Sequence, residues 1–379
     1  LLKPTLKKSR NSVNGSLTKI GNKNLTNMKQ TKKILRYCAF SLITITLGSQ
    51  FASCSKENDD PQITMPVIKP NLIFYALTAS GQLSKYNANA CETAISTVTI
   101  SGLQSSEKIL SIDFRPATGE LYGLGSSSRL YIINYTTGTS RVVGSAPFAP
   151  ALNGTITGFD FNPTVDRIRI VTNSGQNLRL NPETGTVATV DGSVNGVAGA
   201  AIAGVAYSNN IAGAASTTLF DIDITTGKLY KQNPPNNGTL VAVGDLGVMA
   251  TGEAGFDISP DGAVALAGMY TGGKSSLYQV DTASGAATKL GDFAGADMLN
   301  GIAIPTNPVA YATDDMNNFL IFNPETNTAP VSKMITGIAA GENIVGIDFR
   351  PLNGQIYALG SGANLYTLNA ASGAATLVG

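Results

Sequence analysis

The stretch ILSIDFRPATGELYGLGSSSRLYIINYTTGTSRVVG, Ile109 to Gly144, returns as IVGIDFRPLNGQIYALGSGANLYTLNAASGAATLVG, Ile344 to Gly379, identical at 17 of 36 positions without a gap. The two stretches are offset by 235 residues, and weaker copies lie between them. With the small residue ahead of the Ile-Asp-Phe-like core as marker, copies fall at Ser111, Gly158, Gly204, Gly255, Gly301 and Gly346. Their spacings are 47, 46, 51, 46 and 45 residues. A period of this length means one four-stranded unit each time.

Within a unit, short apolar or β-branched runs are divided by turns, as in Gly158–Phe161, Arg167–Val171, Asn177–Leu180 and Thr186–Val190. No comparable window carries helical periodicity, so the reading is all-β. The turns recur as Asn/Asp, two variable residues, Ser/Thr, then Gly: Asn134 to Gly138, Asn181 to Gly185, Asp281 to Gly285 and Asn369 to Gly373. Asn or Asp bonds the backbone ahead and Gly accepts positive φ, which closes a hairpin between the two outer strands. Asn323 to Asn327 repeats the motif with Asn expected at the left-handed position. Recurrence at turns makes Glu183 and Glu325 solvated loop acids.

Successive four-stranded antiparallel units of this period predict a β-propeller. The first unit, from Leu72, begins at a second strand, and Leu299–Ile304 can supply its missing innermost strand. That closes a five-bladed ring over residues 71–306. The pattern then restarts at Val309 and runs two units, so residues 307–379 are expected to be the start of a second, truncated copy. The alternative is one seven-bladed ring over residues 63–379, with Ile63 to Ile68 as its opening strand.

The chain ahead of this body is different in kind. Residues 1–53 hold ten of the 26 basic and none of the 25 acidic residues, leaving 16 against 25 and a net of −9 for the remainder. From Met28, Lys29, Lys32, Lys33 and Arg36 precede an apolar run from Tyr37 to Leu47, the pattern of a secretory signal over residues 28–53. Eleven residues at ~1.5 Å rise span only about half of a ~30 Å hydrocarbon core, so a permanent membrane helix is the weaker reading. Phe51-Ala52-Ser53-Cys54 resembles a bacterial lipobox, which implies lipidation of Cys54. One acyl chain anchors only marginally, and the two or three of a lipoprotein would hold the body at a membrane. The polar tether, residues 54–70, starts Ser55-Lys56-Glu57-Asn58-Asp59-Asp60 after the Cys and resembles the export tag of surface lipoproteins of the Bacteroidetes. The expected location is therefore the outer membrane, facing outward. Residues 1–27 begin with Leu, precede the signal and are expected to lie upstream of the mature protein.

The repeated IDFRPxxGxxYxLG and LYxxN strings also resemble a bacterial family, the domain of unknown function numbered 4394, found in exported proteins. The resemblance spans residues 71–379. It implies the repeat and brings no catalytic residue, because that family has no assigned activity.

The composition removes several chemistries. With no His, Ser-His-Asp and Cys-His catalysis and histidine metal ligation are excluded. Cys38 lies in the signal and Cys54 takes lipid, so Cys91 stands alone in the body and is read as an inert turn residue. There is no GxxxxGK[ST] phosphate loop, no basic stripe for nucleic acid and no Trp for an aromatic cofactor stack.

Carboxylates remain. Asp113, Asp160, Asp257 and Asp348 occupy one position of four innermost strands, where they are tunnel ligands or locks that accept hydrogen bonds from the blades; Ala206 and Ala303 stand at the equivalent places. No metal or cofactor is required, and calcium is the ion such oxygens would take. Asp221 with Asp223, and Asp314 with Asp315, Asn317 and Asn318, lack the spacing of a twelve-residue calcium loop, and their acids are expected at the surface. Arg115 and Arg350 are expected to pair with acids of a neighbouring blade, and Tyr122, Tyr131, Tyr357 and Tyr366 to pack between blades. Two functions follow: a non-catalytic binding or scaffold propeller displayed at the outer membrane with a glycan or envelope protein as ligand, or a carboxylate-dependent, calcium-assisted hydrolase or lyase acting in the tunnel.

Overall fold

Short runs of β-branched and aromatic residues, broken every few positions by Gly, Asn or Asp, fold as the strands and hairpins that such runs favour. The computed structural model describes residues 67–379 except Ala296, so residues 1–66, which include the signal, Cys54 and most of the tether, lie outside it. Among the described residues the helices are two single 3-10 turns, and no helix is long and apolar enough to cross a membrane.

Five four-stranded antiparallel sheets form a ring. Blade one joins Leu299–Ala303 to Ile73–Thr78, Gln82–Asn87 and Ser96–Thr99. Blade two is Ile109–Phe114, Leu121–Gly125, Arg129–Ile133 and Ser140–Val143, and blade three is Thr157–Asn162, Arg167–Thr172, Asn177–Leu180 and Val187–Val190. Blade four is Ile202–Tyr207, Leu219–Asp223, Lys228–Gln232 and Leu240–Asp245; blade five is Ala254–Ile258, Ala265–Thr271, Lys274–Val280 and Ala287–Asp292. The ring closes where Leu299–Ala303 pairs antiparallel with Ile73–Thr78, with Tyr75 opposite Ala303 and Leu77 opposite Gly301. The five innermost strands neighbour one another in a closed cycle. A seven-bladed ring is thereby ruled out, and Val67 and Ile68, the described part of its proposed opening strand, belong to no strand.

The core lies between blades. Leu124, Leu130 and Val143 of blade two, for example, pack on Phe159, Phe161 and Ile170 of blade three. Other apolar layers fill the remaining seams. The hairpin turns reinforce them: Asn134 Oδ1 accepts from Thr136 N–H at 2.9 Å, and Gly138, at φ 77°, lies so close to Thr99 of blade one that a Cβ would stand 2.2 Å from its carbonyl oxygen. Ser101 and Thr139 form a parallel bridge across the same seam. The turn at Asn323 departs from expectation. Thr326 N–H closes on Asn323 O at 3.3 Å, and Asn327 is not left-handed.

After the ring come a three-stranded sheet, Ala310–Thr313, Asn318–Phe322 and Val331–Met334, and a four-stranded one, Ile344–Arg350, Gln355–Gly360, Leu365–Leu368 and Ala375–Leu377. They repeat blades one and two, the first without an innermost strand. Tyr311 O–H donates to Ala117 O at 3.0 Å and Arg141 donates to Pro351 O at 3.2 Å, which seats this pair of sheets against blade two. Glu107 and Glu342 show the repeat at atomic level. Each accepts a 2.5 Å hydrogen bond from a buried tyrosine hydroxyl, Tyr131 and Tyr366 respectively.

The shared Arg of the two copies meets two environments. Arg115 is fully buried and pairs with Asp166 and, at 2.8 Å, with Glu183, both from blade three. Glu183 is therefore no solvated loop acid, because its turn is folded back onto the arginine of the preceding blade. Arg350 is exposed. Removing one partner of a buried charge network leaves uncompensated charge and costs about 3–5 kcal/mol, whereas an exposed site costs within about 0.5 kcal/mol. Urea unfolding should accordingly show Arg115→Ala destabilised by about 3–5 kcal/mol and Arg350→Ala nearly unchanged.

Candidate functional site

The innermost strands approach so closely that the small marker residues become obligatory. A Cβ on Gly204 would stand 2.4 Å from Ala254 O, and one on Gly255 would stand 2.4 Å from Ile302 N. Two residues further along, the side chain again points to the ring axis, as the period of a strand requires. Asp113, Asp160 and Asp257 fill that position in blades two, three and five, and Ala206 and Ala303 fill it in blades four and one.

One carboxylate oxygen from each of the three acids lies within 4.8 Å of the others. Each acid also reaches into the next blade. Asp113 Oδ2 accepts from Phe161 N–H at 2.8 Å, Asp160 Oδ1 from Tyr207 N–H at 3.1 Å, and Asp257 Oδ2 from Ile304 N–H at 2.6 Å. Asp113 Oδ1 and Asp257 Oδ1 take the N–H of their own following residues, Phe114 at 2.7 Å and Ile258 at 2.6 Å. The acids thus lock the seams two–three, three–four and five–one. Complete burial raises the pKa of all three well above the ordinary carboxylate range, and mutual repulsion raises Asp113 and Asp160 further.

Asp348 does not join them. It sits on the exposed strand Ile344–Arg350 of the four-stranded sheet that follows the ring, where Oδ1 takes only its own Phe349 N–H at 2.8 Å. Gly346, the counterpart of Ser111, would have nothing within 4 Å of a Cβ. Cys91 lies at a turn as expected, directly after a 3-10 segment, and is in addition fully buried, so that loss of solvent pushes its thiol up to about 11. Burial and a raised pKa both disfavour the thiolate, which is the reactive form.

Arg169 and Glu253 were not singled out by sequence, and Asp221 and Asp223, expected there to be surface acids, are fully buried in blade four. Arg169 donates to Asp191 at 2.6 Å, Asn177 at 2.7 Å, Asn236 at 2.8 Å and Tyr207 at 3.2 Å, tying blades three and four. The Arg-x-Arg alternation at 167–169 was visible, but nothing local reveals that Arg169 faces inward. Glu253 accepts from Thr157 N–H at 3.2 Å and is pushed up to about 8 by burial. Asp221 is fully buried with neither oxygen partnered, and burial likewise raises it to about 8 against the pull of Arg169.

Because Asp221 and Glu253 bind protons more tightly folded than unfolded, their stabilising contribution is full below the unfolded values near 4. It is lost as pH rises through about 8. Asp221→Asn keeps the shape and removes the titration. Calorimetry should therefore show wild-type Tm falling between pH 5 and 8.5, with a shallower fall in Asp221→Asn.

No curated protein sequence matches the chain. Among solved structures, the hydrazine synthase of Kuenenia stuttgartiensis is similar at 12% identity and a TM-score of 0.32, over 71% of this chain and 79% of that one. The Dos1 propeller is similar at 14% identity and a TM-score of 0.31, over 80% of this chain and 79% of that one. Likenesses of that size carry no functional inference, and the propeller assignment rests on the strand pairing above. The family model of the domain of unknown function DUF4394 matches residues 82–303 and 318–379, so the chain belongs to that family.

Proposed function

We propose that this protein is a non-catalytic binding or scaffold propeller of the cell envelope, held by lipid on Cys54 at the outer face of the outer membrane, with a glycan or an envelope protein as its ligand. The observation that carries the non-catalytic half is the state of the axial acids. Asp113, Asp160 and Asp257 are each at most 1% exposed, and five of their six oxygens already accept backbone N–H groups. A general acid or base must come within hydrogen-bond reach of its substrate, and carboxylates consumed in this way serve the seams instead. Recognition then falls to loops at the faces of the ring, where a rigid propeller presents them. The envelope half rests on the sequence from Met28 to Asp60, whose basic, apolar and lipobox segments are in the order export requires.

Two measurements test the proposal. Expressed in a Bacteroidetes host, the wild-type chain should incorporate an alkyne fatty acid, sediment with outer membranes and be removed from intact cells by protease; Cys54→Ala should lose the label and the membrane association. Incubated with envelope polysaccharides, the purified protein should retain a glycan without creating new reducing ends. Reducing ends that accumulate with wild type and vanish with Asp257→Asn would establish the hydrolase instead.

A further inference from the structure

Five of the six oxygens at the ring axis have partners, and the sixth does not. Asp160 Oδ2 is buried with no hydrogen-bond partner, although its residue is completely enclosed. A buried acceptor left unmade is disfavoured, and its residue belongs to a trio in which one carboxylate oxygen from each acid lies within 4.8 Å of the others. Something positive among the three oxygens would satisfy the orphan and offset the repulsion together.

We propose that Asp113, Asp160 and Asp257 form a buried binding site for a divalent cation, calcium by preference, which joins blades two, three and five at the axis. The donor set is all oxygen, which selects a hard cation over zinc or copper. Calcium takes oxygens at about 2.3–2.6 Å, so ligands on opposite sides of one ion stand roughly 4.6–5.2 Å apart. The observed spread of at most 4.8 Å lies within that reach. Magnesium wants a near-ideal octahedron at about 2.0–2.1 Å and keeps its waters. Calcium's looser shell takes carboxylates singly or through both oxygens, which suits three acids delivered by three separate blades.

The lock and the ligand roles are compatible. Each carboxylate oxygen that accepts one N–H retains a second lone pair. The N–H groups of Phe114, Phe161, Tyr207, Ile258 and Ile304 also stabilise the negative charge that one dication leaves over. Asp160 is the decisive residue, because Asn in its place keeps the Oδ1 acceptor for Tyr207 N–H and loses the orphan oxygen.

The full chain, unfolded and refolded at pH 7.5 either with 1 mM Ca2+ or with EDTA, is compared by metal analysis after gel filtration and by calorimetry. The expected result is one calcium per chain and a Tm rise of roughly 5 °C or more with Ca2+. Asp160→Asn should hold no calcium and show no rise, while its Tm in EDTA equals or exceeds that of wild type. Wild type that binds no calcium and shows no rise overturns the site, as does an undiminished rise in Asp160→Asn. An equal rise with 1 mM Mg2+ overturns the preference for calcium. The metal count on wild type decides the matter even if the variant fails to fold.

Discussion

At three of its five seams the innermost strands meet so closely at the axis that the neighbouring strand stands where a glycine Cβ would be, and the rest of the ring follows from this contact. Gly204 faces Ala254 O, Gly255 faces Ile302 N, and Gly158 faces Val205. With the strands at this distance, the residue two places on is forced into a small enclosed volume with its counterparts. Polar groups there must find partners among the strands themselves. The aspartates do so by reaching across a seam to the next blade's N–H, which couples the axis to each interface it touches.

The seams without an axial acid are held differently. Between blades four and five, where Ala206 occupies the position, the apolar layer is the one that gathers Phe220, Leu229, Phe256, Met269 and Tyr278. Between blades one and two, where the position is Ala303, an aromatic group of Tyr75, Phe114 and Tyr135 fills the space. Apolar area offsets what the aspartate hydrogen bonds supply elsewhere. Similar ring geometry is thus reached from different side chains, and this is why the repeats diverge while the small marker residue recurs.

Much of this was legible in the sequence because it is periodic. The small residue every 45 to 51 positions announced the blades, and the first unit's missing strand pointed to Leu299–Ile304 as the closure. What stayed hidden depends on neighbours rather than on local pattern. Glu183 reads as one more turn acid, and only the packing of blade three on blade two buries it against Arg115. Arg169 alternates with Arg167 as an exposed strand residue would, yet it faces four partners in the interior. Asp348 carries the same local sequence as Asp113 and shares none of its burial.

That last pair separates what a motif encodes from what a site requires. In both copies the string IDFRP forms an innermost strand, and in both the Asp takes the N–H of the following Phe. Only in the ring does a second blade stand opposite, supplying Phe161 N–H to the Asp and two carboxylates to the Arg. The local sequence thus sets strand, turn and side-chain direction, while enclosure, altered proton affinity and any capacity to hold an ion arise when blades assemble around the axis. Chemistry in such a fold belongs to the closed ring and cannot be assigned to a repeat alone.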